Sequence, residues 1–148
     1  MGRRQARERT LQALYQLEMN PGAGEQVFTE HKSRLEEDVE RKEDLAFFHR
    51  LMEGVRKHRN RLDPIIQRFL KKDWTLSRLS LVDRMILRMA VYELLFEEEV
   101  PFGATLNEAV ELAKTFSTEE SARFINGVLG NILKNMEEVQ GTLSLEEK

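Results

Sequence analysis

The chain has no cysteine, only three prolines, eight glycines, one tryptophan and three histidines. Without cysteine there is no disulfide framework, no thiolate zinc or iron–sulfur centre and no cysteine nucleophile. With His31, His49 and His58 as the only imidazoles, a histidine-rich metal centre lacks ligands and a histidine-dependent hydrolase has few ways to be built. Long apolar runs are missing too. Runs such as Met89-Ala90-Val91 fall far short of the ~20 residues of a membrane span. No apolar run follows the N-terminal arginines, so they do not read as a secretory signal, and a cytoplasmic location is expected.

What is present is a soluble, charge-rich composition, 41% apolar and 33% charged over 148 residues, with a net charge of −3. This length suits one domain or two small subdomains sharing a core. The small acidic excess argues against a general nucleic-acid coat, although a local basic patch survives such a sum.

The apolar spacing predicts an all-α fold of about seven helices, with no sustained alternation of the kind strands need. A first helix is expected from about Arg3 to Met19, burying Ala6, Thr10, Ala13, Leu14 and Leu17, and ending at Asn20-Pro21-Gly22. A weaker one follows over about 25–38, then a stronger one over about 42–59. Asp63-Pro64 reads as the start of another, with an N-cap acceptor before a proline in the first turn, running to Lys72. Trp74 is expected to pack as an anchor in the connection. Residues 79–98 form the most apolar helix, expected to be central. Thr105-Leu106-Asn107-Glu108 and Ser117-Thr118-Glu119-Glu120 both show capping-box spacing, and the last helix is expected to end near Glu138. The expected organisation is a single domain over 1–139, with subbundles at about 3–60 and 62–138, and a frayed polar tail over 140–148.

A search for chemistry finds no glycine-rich phosphate loop, no zinc-protease helix, no calcium loop and no nucleophile elbow. His49 and Glu53 share a helical face, a spacing that a solvated surface pair also explains. No catalytic residue, cofactor or metal ligand is expected.

Two basic clusters stand out. Arg3, Arg4, Arg7 and Arg9 oppose Glu8 alone; Arg56, Lys57, Arg59, Arg61, Arg68, Lys71 and Lys72 oppose Asp63 alone. Arginine forks match phosphate oxygens, so either cluster suits a nucleic-acid backbone. In the second, Arg56–Arg61 sit near an expected helix C-terminus, where the macrodipole itself favours cations. The first sits at a helix N-terminus, where it does not. A third candidate is Arg123-Phe124-Ile125-Asn126-Gly127, which sets a guanidinium, a ring and an amide near one another, as in readers of single-stranded RNA. A phenylalanine filling a helical seam explains the same ring.

In order along the chain, Arg3-Arg4-x-Ala6-Arg7-Glu8, Gln12-Ala13-Leu14-Tyr15, Trp74-x-Leu76-x-Arg78-Leu79, Val82-Asp83-Arg84-x-x-Leu87-Arg88-x-Ala90-x-Tyr92-Glu93-Leu94-Leu95, Val100-Pro101, Asn107-Glu108-Ala109-Val110-Glu111-Leu112-Ala113-Lys114 and Phe124-x-Asn126-Gly127-Val128-Leu129 resemble the NusB family of transcription antitermination factors. The resemblance spans roughly residues 3–134, with 20–60 matching only in pattern. It implies an all-α, non-catalytic bacterial factor that binds the boxA element of ribosomal-operon leader RNA with the ribosomal protein NusE, in a complex on RNA polymerase. Carried over position by position, it implies an RNA surface of Arg3, Arg4, Arg7 and Tyr15 with Glu120, Arg123, Phe124 and Asn126. It also implies a NusE face around Asp83 and Arg84. Some family members form homodimers that cover the RNA face, so a homodimer is among the states it allows. The competing expectation is a helical protein–protein module with no specific RNA binding.

Overall fold

The computed structural model describes residues 2–38 and 42–147, so Met1 and Lys148, at the ends of the expected domain and tail, lie outside the described residues. The described residues form seven α-helices and two 3-10 turns, with no strand among them. Two compact units divide between Arg56 and Lys57.

The first unit holds α1 (Gly2–Met19), α2 (Gly24–Asp38) and the beginning of α3 (Lys42–Arg68). Helix α1 buries the five residues its spacing predicts, together with Leu11 and Arg7. Asn20 and a 3-10 turn over Pro21–Ala23 end it and turn the chain into α2, which packs on α1. His31 of α2 is buried there, with Nε2 against Gln16 Oε1 of α1 and no partner at Nδ1. On α3, Phe47, Phe48, Leu51, Met52 and Val55 are buried, and Glu43 and Asp44 place negative charge at its N-terminal turn.

The expected break at Asp63-Pro64 is absent: α3 continues through Pro64 to Arg68. Proline there removes the bond to the Asn60 carbonyl and crowds the preceding turn, at a cost of about 3 kcal/mol. Burial of Leu62 and Ile66 on both sides of it offsets that cost. Asp63 is therefore no cap. Its carboxylate takes a two-pronged bond from Arg88, Nε to Oδ1 at 2.7 Å and Nη2 to Oδ2 at 2.9 Å.

In the second unit, α4 (Leu81–Phe96), α5 (Phe102–Phe116) and α6 (Glu119–Lys134) pack on one another, followed by α7 (Met136–Glu147). Ser80 caps α4 by accepting from the Asp83 backbone N–H, and Thr118 caps α6 by accepting from that of Ser121. Helix α4 carries the core residues Met85, Ile86, Leu87, Met89, Ala90 and Val91. It also holds a buried Asp83 and Glu93, with the buried Glu97 directly after it. Each of these carboxylates meets a hydroxyl. Ser117 and Ser121 donate to the two oxygens of Asp83 at 2.9 and 2.8 Å, Thr105 donates to Glu93 at 3.2 Å, and Tyr92 donates to Glu97 at 3.3 Å.

Two further expectations are corrected. Thr105 does not begin α5: the helix starts at Phe102 after Pro101, and Thr105 is buried inside it because its hydroxyl satisfies Glu93. The helical run does not end near Glu138: residues 140–147 continue α7. Met136, Val139 and Leu143, spaced three and four apart, bury one face of that helix. Asn135 separates α7 from α6, its backbone N–H bonding Ile132 and its side-chain amide bonding the Asn131 carbonyl.

Candidate nucleic-acid interface

The expected RNA-contacting residues lie in different units: Arg3, Arg4, Arg7 and Tyr15 in the first, Glu120, Arg123, Phe124 and Asn126 in the second.

On α1, Arg4 and Tyr15 are exposed on the same side, eleven residues or about three helical turns apart. Arg3 and Arg7, one turn apart, turn toward Phe47 of α3, with guanidinium carbons 4.7 and 5.1 Å from its ring centroid. Arg50 joins them at 5.6 Å. Three cations thus gather at one fully buried ring, each attracted by its negative face. Arg3 is half-buried, Arg50 exposed and Arg7 only 5% exposed, so Arg7 contributes packing and field more than an open hand for phosphate. Sequence reasoning missed Arg50. Its signal was the three-residue spacing from Phe47, which puts both on one face of α3.

On α6, Ala122, Ile125, Val128, Leu129 and Ile132 form the buried stripe, and Glu120, Arg123 and Asn126 are exposed. Phe124 and Asn126 do not form one cluster. Residues two apart on a helix point about 200° away from each other, so they flank the exposed face with Arg123 between them. Phe124 turns into a groove of about 360 Å³ that it lines with Lys71, Trp74, Arg78, Leu79, Ser80, Asp83, Thr118, Glu120 and Ser121.

Trp74, expected to be a packed anchor, is 47% exposed in that groove. Its loop is nevertheless firmly held. The Gln67 side chain donates to the Trp74 carbonyl at 2.7 Å and accepts from the Leu76 N–H at 2.8 Å. Arg84 donates to the carbonyls of Ser77 and Leu79, and the Arg78 guanidinium lies 5.8 Å from the indole centroid.

The expected NusE-facing pair is largely spent inside the unit. Asp83 is 7% exposed and bound to its two serines, and Arg84 is half-buried and engaged with the loop backbone. Both position α4, α6 and the loop.

The second basic cluster is partly neutralised, through Arg59 with Asp63 at 3.8 Å and Arg68 with Glu138. His49 is exposed and meets Phe28 edge-on at 4.8 Å. Among the described residues, no three His, Asp or Glu side chains are grouped to hold a metal, and no helix is long and apolar enough to cross a membrane.

Known proteins resemble the chain over most of its length. The transcription antitermination protein NusB of Bacillus cereus (strain B4264) is 48% identical over 132 residues, covering 89% of this chain and 97% of the relative. That of Bacillus thuringiensis (strain Al Hakam) matches equally. Among solved structures, T. maritima NusB superposes with a TM-score of 0.74 at 38% identity, covering 89% of this chain and 90% of the other. A crystal structure of the antitermination factors NusB and NusE in complex with double-stranded RNA superposes with a TM-score of 0.78 at 28% identity, covering 90% and 96%. Residues 4–134 match the NusB family as a whole, and with these arginines, this α6 and this helical order the chain belongs to that family.

Proposed function

We infer that the chain is an RNA-binding transcription antitermination factor. It binds boxA RNA of ribosomal-operon leaders together with the ribosomal protein NusE and joins the antitermination complex on RNA polymerase. The observation that carries this is family membership across 131 residues, 4–134, joined to the likeness to a NusB chain solved with NusE and RNA. The role is one of holding rather than reacting, performed in the cytoplasm without cofactor or metal.

Arg4, Arg3 and Tyr15 present charge and an aromatic ring on the first unit, and Arg123, Asn126 and Phe124 present cation, amide and ring on the second. Arg7 supports its surface from beneath through Phe47. Glu120 borders the RNA surface and repels phosphate, which narrows where a backbone can run. The NusE face lies around the start of α4, where Arg84 and Asp83 hold the surface in shape. A homodimer covering the RNA face is among the states this reading allows.

The test is a titration of dye-labelled boxA RNA against the full chain, with and without NusE, at two salt concentrations, beside a boxA-mutant RNA. Selective binding that NusE tightens and salt weakens is expected. Equal binding of both RNAs, or none, replaces this reading with a protein–protein module.

A further inference from the structure

The Trp74 groove lies outside every residue set that the family resemblance supplies for RNA, apart from Phe124 and Glu120 on its α6 side. Its chemistry is specific. An exposed indole and a half-buried phenyl ring line it, with Lys71 and Arg78 as cations beside them. At about 360 Å³ it is near the small end of ligand pockets, about 300–1,000 Å³, and suits one planar group with its substituents rather than a docked helix. The two cations come from the loop, whereas the carboxylate of Asp83 is already satisfied by Ser117 and Ser121. The loop is preorganised: Gln67 holds it at Trp74 and Leu76, and Arg84 holds it at Ser77 and Leu79. An aromatic ring kept in water by a rigid loop has its ordering completed before any ligand arrives.

We propose that this groove seats one unstacked base of the bound single-stranded RNA. Trp74 is a stacking surface, and Lys71 and Arg78 take the adjoining phosphate. Every base has a π-face, so stacking there adds affinity with little sequence preference, and the cations add salt dependence. Glu120, on the α6 side, disfavours phosphate and directs the backbone to the loop side. This site rests on the RNA-binding reading and extends it to residues 71–78.

Trp74 is the only tryptophan in the chain, so its emission reports on this groove alone. The experiment follows that emission in the full chain during titration with single-stranded boxA RNA, while the anisotropy of a dye on the RNA gives affinity independently. Quenching that saturates with the anisotropy midpoint is expected. Trp74→Ala is expected to weaken RNA binding roughly tenfold with an unchanged melting temperature, and Trp74→Phe to restore most of it. RNA bound by anisotropy with Trp74 emission unchanged and Trp74→Ala at full affinity overturns the site and leaves the RNA-binding reading intact. Emission that answers NusE alone and not RNA also overturns it, assigning the groove to a protein partner. If the RNA does not bind at all, the RNA-binding reading fails. Cytidine 5′-monophosphate, titrated alone, then decides the groove: quenching keeps a nucleotide site, and none removes it.

Discussion

Replacing Asp63 with alanine tests the joint between α3 and α4. Arg88 is 3% exposed, and its guanidinium makes two charge-assisted bonds to the Asp63 carboxylate at 2.7 and 2.9 Å. Removing one partner of a buried pair costs about 3–5 kcal/mol, because the other charge is left in a poorly hydrated place. The Asp63 side chain is 27% exposed, so water reaches one side of the pair and the lower end, about 3 kcal/mol, applies. For a domain of this size that is a fall in melting temperature of roughly 6–12 °C. Circular dichroism melts and urea titrations of the full chain measure it. The loss is expected to change little between low and moderate salt, since a pair this buried is weakly screened. Pairing Asp63→Leu with Arg88→Met is expected to recover much of the loss by removing both charges. A drop for Asp63→Ala below about 1 kcal/mol would refute the argument and make the contact equivalent to a surface ion pair.

Two other predictions separate stability from binding and acid from neutral behaviour. Arg7→Ala is expected to lower the melting temperature by several degrees through lost packing and about 0.5–2 kcal/mol of cation–π attraction to Phe47. Arg4→Ala is expected to leave the melt alone while weakening RNA binding and reducing its salt slope by about one; equal melts for the two variants would contradict this. The His31 pKa lies below its usual value, first because of burial and then because of the nearby Arg9. Its Nδ1 has no acceptor if protonated. Between the ordinary histidine pKa of about 6.5 and the lowered one, the unfolded chain binds a proton that the folded chain refuses. Stability is therefore expected to fall as pH drops through that window. His31→Gln is expected to flatten the fall; an unchanged pH profile would contradict the assignment.

The all-α fold, the buried face of α1, the heavily buried α4 and the buried stripe of α6 were legible because the apolar pattern of each segment determines them. What was not legible depended on partners distant in sequence. Asp63-Pro64 has the local chemistry of a helix start, and only the Arg88 bond and the burial of Leu62 and Ile66 explain its place mid-helix. Thr105 has cap spacing, yet Glu93 of another helix claims its hydroxyl. The continuation of α7 past Glu138 was not legible because Leu143 stands in a polar segment, and with Met136 and Val139 it makes only a weak periodic signal. For the site, residue types were readable and accessibility was not. Arg7 reads like its neighbour Arg4 and is buried, while Trp74 reads as core and faces a groove.

The hydroxyl–carboxylate pairs on α4 also bear on how this protein can drift. Swapping Thr105 for valine preserves shape but takes a hydroxyl donor from the buried Glu93, and losing Ser117 or Ser121 strips Asp83 of a donor. Such positions are locked to one another, and a lineage crosses them only by compensated double steps. Leucine, isoleucine and methionine around them can trade places one at a time at small cost. The register of α5 and α6 against α4 is thus heritable through a few polar pairs, while the apolar filling between them is free to wander.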